Sequence, residues 1–241
     1  RRVPASTQKS RATDISSPPV SSNVVTSSQR WRETLRDRIL PEYALDEWRV
    51  TQLLVVTVLL VYNAEILVRL ALGAPTVRVA MAYSFLNYPE VAWPLAPILH
   101  RDALHLGANV LMLVVLAPVE ARMTRRRFLA FVVVSAYLTV LCGALWSQAF
   151  TEKEFVAFYG ISGTVFAMAG YGLVATVRDY RAGEELTAPL VYMGVAVIGT
   201  VALDVWGAVT GGPLALNMGH VSGLIAGTTT YLIRGGNWAD L

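Results

Sequence analysis

From residue 50 to residue 233 the sequence is a succession of apolar runs, separated by short breaks rich in charge, glycine and proline. No other feature constrains the fold as strongly. An apolar run of about 20 residues can cross a hydrocarbon core as a helix, and there every backbone N–H and C=O must be satisfied within the segment. The runs predict helices over about 50–72, 104–121, 128–149, 161–177, 189–209 and 219–233. Composition agrees: 54% of the 241 residues are hydrophobic and 15% are charged, against about 25% charged in soluble domains. The expected fold class is all-α, a polytopic membrane protein built as a six-transmembrane-helix bundle. A disordered chain and a disulfide-stapled module (Cys142 is the one cysteine) are excluded, and the composition argues against an ordinary cytosolic enzyme.

The charges divide the chain. Residues 1–30 hold eight Ser, three Thr and three Pro with almost nothing to bury, so a disordered Ser/Pro/Arg-rich tail is expected. They contain no apolar stretch of signal-peptide type. Residues 31–49 read as a juxtamembrane amphipathic segment interrupted by Pro41, residues 50–234 as the membrane domain, and 235–241 as a short C-terminal tail. The formal excess of +3 falls in residues 1–49, while residues 50–241 carry eleven basic and eleven acidic side chains. That distribution offers no basic face for nucleic acid. With the N-terminus inside, the inner segments carry sixteen Lys/Arg and the outer ones four. This asymmetry predicts a multi-pass protein of the plasma membrane with both termini cytoplasmic. The second, fourth and sixth runs then start at the outer face. Between the first two runs, residues 73–103 carry Tyr83, Phe85, Tyr88 and Trp93 among four prolines, as expected of a loop at the membrane interface.

All three histidines, His100, His105 and His220, fall at the outer starts of even-numbered runs. Ionisable groups at membrane depth are expensive, which marks them as functional candidates; a hydrogen-bonded structural histidine is the plainer reading of any one of them. Gly160-Ile161-Ser162-Gly163 opens the fourth run. Glycines on both sides leave the Ser162 hydroxyl accessible, and a helix start presents unpaired N–H groups to a developing oxyanion. The sixth run opens Gly219-His220-Val221-Ser222-Gly223 and continues to Gly227. Glycines at this spacing form a ridge that lets two helices approach closely. Gly163, Ala167 and Gly170 offer a matching face on the fourth run. Packing the two would bring His220 beside Ser162, the arrangement in which an imidazole takes the hydroxyl proton. Phe166, one turn beyond Ser162, is placed to hold the ring flat. On the second run His105 and Asn109 are four apart and share a face, where their donors can serve an oxyanion hole with the Ser162 N–H.

Each of these motifs alone is also a common packing pattern. Together, H-x4-H-x3-N, G-x-S-G and H-x2-G-x3-G in this order resemble the rhomboid family of intramembrane serine proteases, over roughly residues 50–233. The resemblance implies a six-helix, prokaryotic-type rhomboid-like bundle. It implies a Ser162–His220 catalytic dyad, an oxyanion hole of His105, Asn109 and the Ser162 N–H, and a bracing role for His100. Gly160, Gly163, Phe166, Gly219 and Gly223 would support the site, and residues 210–218 would form its cap. The expected activity is cleavage of transmembrane protein substrates within the lipid bilayer through an acyl-enzyme, at a site open to the outer face, with no cofactor. The sequence differs from many relatives in having Phe166 where Tyr is common, Trp93-Pro94 where Trp-Arg is common, and Ala117-Pro118 before Glu120.

Two other functions fit a helical membrane chain. A proteolytically silent relative would bind transmembrane helices without cutting them, but such relatives lack the dyad. A metal site or small transporter would use the histidines, but His100 and His105 at five-residue spacing fall on different faces of a continuous helix. No Cys or second acidic ligand joins them, so no metal is expected. Glu65 and Arg69, four apart, predict an ion pair. Asp204 reads as a structural or gate residue of the fifth run.

Overall fold

The computed structural model describes residues 48–72, 95–150, 159–183, 188–210 and 217–234. The expected N-terminal tail, most of the juxtamembrane segment, the aromatic loop before residue 95, most of the cap and the C-terminal tail lie outside the described residues. Six principal helices form an all-α bundle, with no strand among the described residues: α1 (Arg49–Leu72), α2 (Ala103–Val115), α3 (Arg125–Phe150), α4 (Ser162–Arg181), α5 (Ala188–Thr210) and α6 (Met218–Arg234). Their bounds follow the apolar runs closely. One run is broken: α2 stops at Val115 and a single helical turn, Pro118–Ala121, resumes after it. Pro118 has no N–H to give to the preceding turn, so the helical hydrogen-bond ladder is interrupted at the proline.

α4 is the centre of the bundle. Twelve of its residues are buried, from Gly163 to Thr176, because neighbours cover it on most sides. α6 is its closest partner, α3 flanks both, α2 and α5 pack on α4, and α1 packs on α2. By length and composition, α1, Ala103–Ala121 and Arg125–Trp146 are suited to crossing a membrane. α6 has 17 residues, so at about 1.5 Å per residue it spans roughly 26 Å, short of a core about 30 Å thick.

At α1 the buried residues are Val50, Thr51, Val58 and Glu65; the last three recur every seven positions and make a narrow seam. Leu53, Leu60, Leu67 and Leu70 are exposed, and hydrocarbon is their natural surrounding. Two carboxylates fasten this peripheral helix. Glu120, on the turn after α2, accepts the N–H of Val50 (2.9 Å), the N–H of Thr51 (2.8 Å) and the Thr51 hydroxyl (2.8 Å). It thereby satisfies first-turn donors and places negative charge at the positive end of the helix. At the other end Glu65 pairs with Arg69, as their spacing predicts. At the end of α4, Arg122 pairs with Asp179 at 2.6 Å.

Candidate active site

The site is assembled where α4 and α6 begin, and its geometry follows from missing side chains. A Cβ built on Gly223 would collide with the carbonyl oxygen of Gly163, one on Gly227 with that of Ala167, and one on Gly170 with that of Leu224. Backbone therefore lies on backbone along the whole contact, as the small-residue ridges predict. The register pairs Gly163 with Gly223, while Gly219 is buried one turn earlier. Gly163 is closed from the other side too: its added Cβ would strike the Thr139 side chain on α3.

This register brings the His220 ring onto Phe166, with centroids 4.1 Å apart and planes 8° from parallel. Stacking fixes the plane of the imidazole over the helix that starts with Ser162. Ser162 itself is half-buried. The residue before it, Ile161, makes no side-chain cap, which leaves the first-turn N–H groups of α4 to find other partners.

The approach to α4 is equally restricted. Gly160 has φ +116°, a conformation that costs any residue with a Cβ. A Cβ there would also sit 2.9 Å from Cε1 of His105. The His105 ring thus lies against the chain two residues before Ser162. The N–H of Gly160 donates to the Ala96 carbonyl at 2.8 Å, tying this turn to the short 3₁₀ turn Ala96–Ile98. Asp102 caps α2 by accepting the N–H of His105 at 2.8 Å. That bond, with Arg101 alongside, holds the Asp102 carboxyl down to about 2.

His105 and Asn109 sit one turn apart on α2, and Asn109 is 5% exposed. His105 Nδ1 and Asn109 Nδ2 are buried with no hydrogen-bond partner among the described residues. A buried polar group without a partner costs about 1–3 kcal/mol, and no described residue offsets that cost for these two atoms.

His100 is different. It is 1% exposed and pinned from several directions. Its N–H donates to Glu65 (3.1 Å), its carbonyl accepts from Arg69 (3.2 Å), and its Nδ1–H donates to the Ile98 carbonyl (3.1 Å). Burial and the neighbouring His105 push its pKa down to about 4, against the bond to Ile98. It is a neutral brace between α1 and the start of α2. One expectation needs correcting. His100 and His105 do not lie on different faces of one continuous helix: α2 begins only at Ala103, after the extended Asp102, and the two rings stand 5.3 Å apart. Even so, no three His, Cys, Asp or Glu side chains gather as a metal site among the described residues. The side chain of Asp204, on α5, is outside the described residues, as are residues 155–158 ahead of Tyr159.

Sequence reasoning missed Asn217. Its side-chain oxygen accepts the N–H of Gly219 (3.1 Å) and of His220 (3.4 Å), and its Nδ2 lies 3.1 Å from His220 Nε2. The available signal was an asparagine just before a helix start, a favoured N-cap residue.

The family model for the Rhomboid domain matches residues 91–237, more than half of the chain. Compared with curated protein sequences, the chain matches none.

Proposed function

Because the chain belongs to the rhomboid family, a family of helical membrane proteins that holds intramembrane serine proteases and inactive relatives, we propose that it is an active intramembrane serine endopeptidase. The observation that carries this reading is the His220 ring lying flat on Phe166 at 4.1 Å, on the helix that Ser162 opens. A serine hydroxyl is a poor nucleophile until a base takes its proton, and a fixed neutral imidazole is the group suited to that task. Ser162 attacks the scissile carbonyl while His220 takes its proton, then returns it to the leaving amine. The resulting acyl-enzyme is hydrolysed by water. His105, Asn109 and the Ser162 N–H receive the oxyanion, each worth about 3 kcal/mol in the transition state. The unpartnered atoms on His105 and Asn109 support that role.

The substrates are transmembrane proteins, cut in or near a membrane-spanning segment. The excess of Lys/Arg in the N-terminal segment, the α2–α3 connection and the end of α4 supports cytoplasmic termini in the plasma membrane and a site facing outward. The test is cleavage of a reporter transmembrane substrate by purified protein in detergent. The wild type is expected to cut, and Ser162→Ala and His220→Ala to lose cutting while remaining folded. Cleavage retained by either variant would falsify the dyad, and an inert wild type would make the chain a silent helix-binding relative.

A further inference from the structure

Asn217 is joined to His220 twice, through the backbone and through the ring. Its oxygen is committed to the helix: Oδ1 faces the N–H groups of Gly219 and His220. The other end of the amide, an NH2 that can only donate, therefore faces His220 Nε2 at 3.1 Å. A donor opposite Nε2 requires a lone pair there, so the neutral ring carries its proton on Nδ1. Phe166 fixes the plane of the imidazole, and the amide fixes its rotation within that plane. Together they define one orientation and one tautomer.

We infer that Asn217 is a positioning residue for the proposed base, holding His220 neutral with Nε2 as its one basic atom. This rests on the reading of His220 as the base of a serine protease. The proton leaving Ser162 Oγ has only the Nε2 lone pair to go to, while Nδ1 keeps its own. To receive it, Nε2 must release the Asn217 amide. The imidazolium that forms then presents Nε2–H to an NH2 group, which is repulsive. Asn217 thus opposes lasting protonation and favours return of the proton to the leaving amine. Turning the amide over would offer Oδ1 to the imidazolium, but only by giving up both bonds at the start of α6. Among the described residues, the ionisable side chain facing His220 from a neighbouring element is His105 on α2, near enough for the two charges to interact, with Arg101 and Asp102 beside it. α4 presents Ser162 and Phe166, neither charged at neutral pH.

The test is Asn217→Asp, because aspartate caps a helix as well as asparagine but turns an acceptor toward Nε2. Two readouts are taken on full-length protein. In cleavage assays the acid limb of the pH–rate profile is expected to move up by about one unit, with activity recovering at higher pH. In ¹⁵N-histidine NMR, His220, assigned by its loss in His220→Ala, is expected to change from Nε2 unprotonated to Nε2 protonated. Asn217→Ser keeps a cap but cannot reach the ring; kcat should fall about tenfold with KM within about twofold, as for a misplaced group. An acid limb and a ¹⁵N pattern in Asn217→Asp that both match wild type would overturn the inference. If the wild type does not cleave at all, the protease reading fails, and the ¹⁵N pattern still decides whether Asn217 sets the tautomer.

Discussion

The α4–α6 contact and the α1 periphery are held together in opposite ways. Between α4 and α6 there is almost no side chain: glycines at 170, 223 and 227 let carbonyl oxygens meet the facing backbone. α1 touches the bundle through a narrow seam and is fastened where Glu120 accepts its first N–H groups and where its own Glu65 accepts the His100 N–H. A backbone-to-backbone contact has no soft part, so it holds Ser162 and His220 in a fixed relation. A helix fastened by carboxylates tolerates changes over most of its surface. The rigid region holds the residues proposed for the chemistry, and the periphery closes the bundle around it.

Enlarging the seam between α4 and α6 tests this contrast most severely. Gly227→Val drives a branched side chain into the Ala167 carbonyl, and backbone cannot yield as a flexible side chain can. A loss of about 3 kcal/mol or more is expected, at the top of the range for overpacking, seen as a lower melting temperature in detergent and a failure of His220 to stack on Phe166. Glu120→Ala comes next. It strands two N–H groups and a hydroxyl, and about 2–3 kcal/mol should be lost, with α1 the first element to exchange its amides.

A smaller effect depends on pH. His100 titrates at about 4 in the folded protein and at 6.5 when unperturbed. Between these values the unfolded chain binds a proton that the folded chain refuses, so His100's neutral burial supports the fold fully above pH 6.5. That support is lost progressively as pH falls toward 4. Melting temperature should drop between pH 7 and pH 5, and His100→Gln should flatten that dependence. At the other extreme, Leu60→Ala on the outer face of α1, where Leu60 is 65% exposed, should change stability by less than about 0.5 kcal/mol. A Leu60 effect as large as that of Gly227 would erase the distinction between the two regions.

Much of this was legible in the sequence because the relevant signals are local or periodic. Apolar runs located all six helices, and glycine spacing showed which faces of α4 and α6 would meet. The i, i+4 pairing of Glu65 with Arg69 is fixed by helix geometry alone. What stayed hidden depends on how distant segments dock. Glycine spacing does not choose whether Gly163 meets Gly219 or Gly223; the docked helices pair it with Gly223. The extended backbone at Asp102 that brings His100 near His105 is a tertiary outcome, invisible to a face argument that assumes one helix. Asn217 went unnoticed, since its bond to the ring exists only once the start of α6 has folded and brought the His220 ring back to it.

The central claim is that Ser162 is a nucleophile activated by His220, and covalent labelling tests it without knowledge of any substrate. Purified wild-type protein is incubated with a fluorophosphonate probe and the modified residue is mapped by mass spectrometry. The expected result is stoichiometric modification of Ser162 that falls at least about a hundredfold in rate in His220→Ala, the loss typical of removing a general base. Labelling that misses Ser162, or that proceeds equally fast without His220, would contradict the account.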